Sequence, residues 1–361
     1  MQRSTFVLSS LTAVATSALP LSAHADVVTF APDPARSRSI EIVTTMTLAR
    51  PGVSKAWIPL PSVNASWNRP AGDTWQTNAT AAAIRTDPAS GARMLTLSWT
   101  TPDAAPVVTV HSRITTLDRA VDLGRPRRVK PLTSAERMRY TAATRWIPTD
   151  GIVKTTAETI TAGATTDLEK ARRIYDWIVA NTYRNASTRG CGSGDVAGLL
   201  QSGKLGGKCA DLNGLMVGLA RACGVPARDL YGIRVAPSRF GYKSLGANSA
   251  TITSAQHCRA EVFLADYGWT PTDPADVRKV MLEEPPGGLL ASDPKVQAVD
   301  AGLFGAWEGN WIAYNDGSDI VLPGSASVPL PFLMYPQALN AGVACDCLDP
   351  SAVAYAITAI A

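Results

Sequence analysis

Between Asp26 and about Leu123 apolar and polar positions alternate in short runs separated by turn residues. The runs are Ile40-Glu41-Ile42-Val43, Ala56-Trp57-Ile58-Pro59-Leu60-Pro61, Met94-Leu95-Thr96-Leu97-Ser98-Trp99 and Val107 to Ile114. A period of two puts successive side chains on opposite faces, so these runs predict strands of a β-sandwich-like domain. After Thr133-Ser134-Ala135-Glu136, a helix-start signal, the period lengthens. Leu168, Ala171, Ile174, Tyr175 and Ile178 fall on one face of a helix opened near Asp167, and Leu212, Leu215, Met216, Leu219 and Ala220 mark a second, which Gly224-Val225-Pro226 ends. Two strands follow, Leu230 to Val235 and His257 to Leu264, with a polar loop from Pro237 to Ser254 between them. A turn at Ala265 to Gly268 leads into an extended Trp269 to Asp273. Helices followed by antiparallel strands indicate an α+β domain. The basic, proline-bearing Arg125 to Lys130 reads as a solvated linker, and Trp307, Trp311 and Tyr314 are placed to return over the second domain. The stretch from Leu339 to Ala361 is rich in small residues and weakly patterned.

The second helix begins at a cysteine. In Gly206-Gly207-Lys208-Cys209-Ala210-Asp211-Leu212-Asn213 two glycines permit a close approach and a sharp turn, and Cys209 then meets the unpaired N–H groups and positive end of the helix. That setting favours the thiolate, which attacks carbonyl carbon. A thiol nucleophile needs a base that titrates near neutrality. His257 opens a strand downstream, and Asp273 closes the next extended segment, where antiparallel pairing can bring it beside the histidine. Taken singly, Cys209 reads as a small buried hydrophobe, His257 as a structural histidine and Asp273 before Pro274 as a turn former. The backbone N–H of Cys209 is one natural oxyanion donor; Tyr183 and Gln256 are candidates for the second, each with an ordinary packing or surface role as the simpler account. His111 lies inside an alternating strand with no acidic or thiol neighbour in sequence and reads as structural.

Composition changes the picture in three ways. The first 25 residues carry Arg3, an apolar middle from Phe6 to Leu21 and Ala23-His24-Ala25, the pattern of an export signal cut after Ala25. No later segment is long and apolar enough to span a membrane. The formal net charge of +4 is too small to argue for nucleic acid, and cleavage removes one arginine and no acid. Export implies an oxidising compartment for the six cysteines, Cys191, Cys209, Cys223, Cys258, Cys345 and Cys347. Cys345 and Cys347 are too close in sequence for an easy bridge to each other, so one or both reach elsewhere or stay reduced. No C-x-x-C pair occurs, which argues against zinc. The glycine-rich Arg189 to Val196 lacks the Lys-Ser/Thr of a phosphate loop.

Three ordered blocks carry a family likeness: Gly206 to Asp211; His257-Cys258-Arg259-Ala260-Glu261; and Gly268-Trp269-Thr270-Pro271-Thr272-Asp273-Pro274-Ala275-Asp276-Val277, with the Gly190 to Val196 loop in support. Over roughly Leu168 to Val280 the chain resembles bacterial transglutaminase-like proteins. Arg259 stands where many relatives have an aromatic residue, and Arg259-Ala260-Glu261 is similar to a bacterial subgroup. The resemblance implies an α+β papain/transglutaminase-like core preceded by a β-sandwich-like N-terminal domain, with Cys209 as nucleophile, His257 as base and Asp273 as orienting acid. It implies acyl transfer at an amide through a thioester, ending in hydrolysis, deamidation or cross-linking. The expected limits are a signal peptide over 1–25, a β-rich domain over 26–124, a catalytic domain over 125–325 and a tail of unassigned role over 326–361. The expected partner is a protein or peptide substrate, a cell-wall peptide among the options, with no nucleic acid and no stable membrane insertion. No cofactor or metal is assigned, because the chain lacks the carboxylate-rich loop of the calcium-using relatives. A binding or assembly protein that kept the fold is the alternative, and a thiol-disulfide role for Cys345-x-Cys347 is weaker for want of a thioredoxin-like context.

Overall fold

The computed structural model describes residues 29–48, 53–100 and 104–360; the export signal expected over 1–25 lies outside the described residues. The N-terminal part holds β1 (Ser37–Leu48), β2 (Ser54–Leu60), β3 (Asn68–Thr77), β4 (Ala81–Thr86), β5 (Arg93–Trp99) and β6 (Val107–Leu117). Five helices follow: α1 (Ser134–Thr141), α2 (Gly151–Thr161), α3 (Asp167–Asn181), α4 (Val196–Gln201) and α5 (Cys209–Ala222). Next come β7 (Ala227–Arg234), β8 (Gln256–Leu264), β9 (Gly268–Thr272), α6 (Pro274–Glu283) and α7 (Pro294–Gly302). The chain ends with β10 (Trp311–Asn315), β11 (Gln337–Asn340) and β12 (Val353–Ile360).

Two antiparallel sheets face each other in the N-terminal part. One runs β12-β1-β6-β3, and the other places β11, β2, β5 and β4 side by side. Met46, Leu48, Ile58, Leu60, Leu95, Leu97, Val108 and Val110 fill the space between them. The weakly patterned end of the chain is therefore structural: β12 pairs with β1 from Glu41↔Ile360 to Leu48↔Val353, and β11 pairs with β2. One long face of β1 serves two cores. Met46 and Leu48 enter the sandwich, while Ile40 and Ile42 pack with Ile233, Ile252 and Ile312 of the second domain. His111 does have an acidic companion: its Nδ1 lies 3.1 Å from Glu41 Oε1 on the neighbouring strand, a pairing fixed by register rather than by sequence proximity.

The second domain is an antiparallel sheet, β9-β8-β7-β10, with α5 laid along it and α2, α3 and α6 around that helix. Every residue of α5 from Cys209 to Arg221 is buried, as expected of a helix enclosed on all sides. Its polar members are satisfied inside: Arg221 donates to the Ala227 carbonyl at 2.9 Å, and Asn213 reaches across to β8. Trp67, Trp307 and Trp311 meet at ring separations of 5.4 to 6.2 Å beneath the sheet. Mixed α and β elements with a papain-like core match the expected fold class.

Candidate active site

Cys209 is the first residue of α5, and three constraints hold it there. The Ala210 amide donates to the Cys191 carbonyl at 2.9 Å; Asp211 accepts from the Lys208 amide at 3.0 Å; and the other oxygen of Asp211 accepts from the Ser193 and Gly194 amides at 2.9 and 3.0 Å. One carboxylate thus ties the glycine-rich loop to the start of the helix. Gly206 and Gly207 do not form a turn. They run extended beside Tyr183-Arg184, and they are glycines because a Cβ on Gly206 would meet the Tyr183 ring at 2.1 Å and one on Gly207 would meet Asp211 Cβ at 2.5 Å. Gly192 has φ +97°, and a Cβ there would lie 1.9 Å from Asp211 Oδ2. Gly192→Ala is expected to break the Asp211 clamp and lower unfolding stability by about 2–4 kcal/mol, read from the urea midpoint at constant slope.

His257 stands near the start of β8, and Asp273 follows β9 as the N-cap of α6, accepting from the Asp276 amide at 3.1 Å. The β8–β9 register pairs Ala260 with Thr272, so Asp273 emerges beside the face that carries His257 and Arg259. His257 Nε2 lies 2.8 Å from Asp273 Oδ2, and Arg259 Nε lies 3.5 Å from the same oxygen. Asn213, one turn along α5 from Cys209, donates to Asp273 Oδ1 at 3.0 Å and to the Cys258 carbonyl at 2.8 Å. Trp311 Nε1 donates to the His257 carbonyl at 2.9 Å. Nucleophile helix, base strand and acid cap are thereby stitched together.

A second carboxylate shares the histidine. Asp276 Oδ2 is 3.4 Å from His257 Nε2, while its Oδ1 takes a 2.6 Å ion pair from Arg234 at the end of β7. Burial and the Arg234 charge oppose protonation of His257, but Asp276 and Asp273 outweigh them and lift its pKa to about 9. Hydrogen bonds from the Cys191 and Cys258 thiols and from His257 overcome the effect of burial and hold the Cys209 thiol well below its ordinary range. Both shifts favour a thiolate beside an imidazolium. Burial and the neighbouring Asp276 raise Asp273, while Arg234 first among the charges depresses Asp276.

All six cysteines are free thiols. Three gather at the site: Cys191, Cys209 and Cys258 share one apolar cluster with Met334, and the Cys191 thiol lies 3.4 Å from the Gln256 carbonyl. His257, Asp273 and Asp276 each offer a ligand atom within 4.8 Å of one another, but a cation there would displace the Arg234 ion pair and compete with Asn213. A cavity of about 570 Å³ opens beside Cys209 and His257. Gln256 lines it, with its Nε2 buried and without a hydrogen-bond partner; Tyr183 is 45% exposed. Sequence order alone brings out Cys209, His257 and Asp273, and the structure brings all three together. It adds Asn213, Asp276, Arg234 and the two flanking thiols. Of these, Asn213 lies four residues after Cys209 on a helix, Cys191 in the glycine-rich loop, and Cys258 and Asp276 within the blocks that carry the family likeness, but nothing in sequence gave them these contacts.

Comparison with known proteins agrees with this geometry. The model of the transglutaminase-like superfamily matches residues 154–274, the segment that contains Cys209, His257 and Asp273. An uncharacterized protein of Haemophilus influenzae is 36% identical over 318 residues, covering 84% of this chain and 85% of that protein. A crystal structure from Cytophaga hutchinsonii, described as that of a candidate cysteine protease, superposes with a TM-score of 0.52 at 15% identity. It covers 90% of this chain and 99% of its own, a likeness of fold that includes the N-terminal sheets. The order of the sequence blocks, the sheet with its enclosed helix and the family match therefore agree that the chain belongs to the transglutaminase-like superfamily.

Proposed function

We propose that the chain is an exported thiol enzyme that carries out acyl transfer or hydrolysis at an amide bond. Cys209 thiolate attacks the carbonyl carbon, and the tetrahedral oxyanion is met by the Cys209 backbone N–H and by Gln256 Nε2, the unpartnered donor on the cavity wall. His257 gives its proton to the departing amine, leaving a thioester. It then takes a proton from the incoming water or amine, whose oxygen or nitrogen forms the new bond as Cys209 departs. Asp273 keeps the imidazole oriented and stabilises its cation. The substrate is a protein or peptide. Export is supported by the N-terminal pattern, and among the described residues no helix is long and apolar enough to cross a membrane.

The observation that carries this reading is His257 on the wall of the same cavity as Cys209, with its Nε2 2.8 Å from Asp273 Oδ2. It predicts a thiol reactive below the ordinary range. With iodoacetamide and peptide mapping by mass spectrometry, modification of Cys209 should level off well below pH 8.5, the usual thiol midpoint. In His257→Ala the midpoint should move up, and the rate at pH 6 should fall by roughly tenfold or more, lower intrinsic nucleophilicity of the wild-type thiolate limiting the difference. A Cys209 that is inert at neutral pH, or equally reactive without the histidine, would sink the proposal.

A further inference from the structure

The cavity beside Cys209 is unusual in its charge. Arg184, Lys208, Arg234 and Lys279 line it, and no aspartate or glutamate does. Arg234 is neutralised by Asp276 at 2.6 Å. The others are not fully balanced. Glu283 is shared between two cations, paired to Arg184 and 3.7 Å from the Lys279 ammonium. Lys208, half-buried, makes no ion pair among the described residues. Burial lowers Lys279 to about 8, a group whose charge is poorly solvated where it sits and gains from an anionic partner. Besides Cys209 and His257, the wall is formed by uncharged residues of the Gly246 to Gln256 loop on one side, and by Leu348, Val353 and Tyr355 on the other.

We propose that this cavity selects an acyl donor with a carboxylate close to the scissile carbonyl, an acidic peptide, held by Lys208 and Lys279. The proposal rests on the thiol-enzyme reading and names its substrate class. About 570 Å³ admits a short peptide segment, and a site of this size needs only a few charged groups to fix orientation. A cation-lined cleft also raises the local concentration of anions at the nucleophile.

The test compares two alkylating reagents of nearly equal size that differ in charge. At pH 7 and low ionic strength, iodoacetate should modify Cys209 roughly tenfold faster than iodoacetamide. His257 contributes to that preference in every variant, so the lysines are isolated by mutation. In Lys208→Gln/Lys279→Gln the ratio should fall several-fold, while the iodoacetamide rate stays near wild type. Succinate should protect Cys209 of the wild type from iodoacetamide, and succinamide should not. An iodoacetate rate no greater than the iodoacetamide rate, or a ratio unchanged in the double variant, overturns the acidic-substrate proposal and leaves the thiol-enzyme reading standing. If neither reagent modifies Cys209, the thiol-enzyme reading itself is overturned, and this proposal with it.

Discussion

Cys209→Ala should abolish turnover while leaving the fold in place. The side chain is 3% exposed, and removing one sulfur from a cluster that also holds Cys191, Cys258 and Met334 opens only a small gap. The melting temperature should move by no more than a few degrees. Catalysis should fall by on the order of 10⁴-fold or more, because the other buried thiol on the cavity wall, Cys191, has its pKa pushed up by its neighbour Cys209 and by burial. Three readouts cover the possible acceptors: ammonia release from a glutamine peptide, hydroxamate formation with hydroxylamine, and cleavage of acidic stem peptides. Members of a catalytic unit do not act additively. The Cys209→Ala/His257→Ala double variant should therefore be little worse than Cys209→Ala. Turnover retained by Cys209→Ala in whichever assay the wild type passes would refute the assignment.

Arg234→Met should unfold the protein more readily than any loss at its surface. The guanidinium is 3% exposed, holds Asp276 at 2.6 Å and donates to the Leu245 carbonyl at 2.7 Å. Without it, Asp276 is a buried carboxylate whose remaining close ion pair among the described residues is the 3.4 Å contact with His257. Breaking one side of a buried pair costs about 3–5 kcal/mol, which for a chain of this size is a fall of roughly ten degrees in melting temperature. The pH dependence has a definite sign. In the wild type Asp276 is depressed, so it contributes stability above its unfolded pKa, and that contribution is lost as pH falls through the folded value. In the variant the carboxyl loses the largest source of that depression, while burial still pushes it up. The stability gap between the two proteins should therefore be widest near neutrality and narrow as pH falls toward 4. Arg234→Met/Asp276→Leu, which removes both charges, should recover most of the lost stability, measured by thermal melts across pH.

What could be read from the sequence follows from where each signal is stored. Alternation disclosed β1, β5 and β6 because each buries mainly one face, while β2, buried on both, showed as a short apolar run. β3 and β4 are edge strands, and β3 carries Pro70, a register shift before Gly72 and a single buried residue, so little alternation was there to see. β12 alternates Val353, Tyr355, Ile357 and Ala359 with alanine and threonine, a contrast too shallow to mark a strand. At the site, Cys209, His257 and Asp273 were legible through order and flanking residues. Arg234 and Asp276 were not, because an arginine ending a strand and an aspartate in the first turn of a helix are each ordinary, and only the fold sets them 2.6 Å apart. Cys191 was visible as a loop cysteine, but its place beside the nucleophile depends on the Asp211 clamp.

β12 lies against β1, so a strand from far downstream covers the outer edge of the first one, and the segment that carries it supplies Leu348, Val353 and Tyr355 to the wall of the cavity. The cavity is therefore complete only when parts of the chain that are distant in sequence have met. A chain folded as far as α6 holds Cys209, His257 and Asp273 but lacks that wall and leaves the β1 edge open. Contacts of such long sequence separation are the slow ones to form. The topology thus places the closing of the cavity late in folding, after the three residues that face it are already in place.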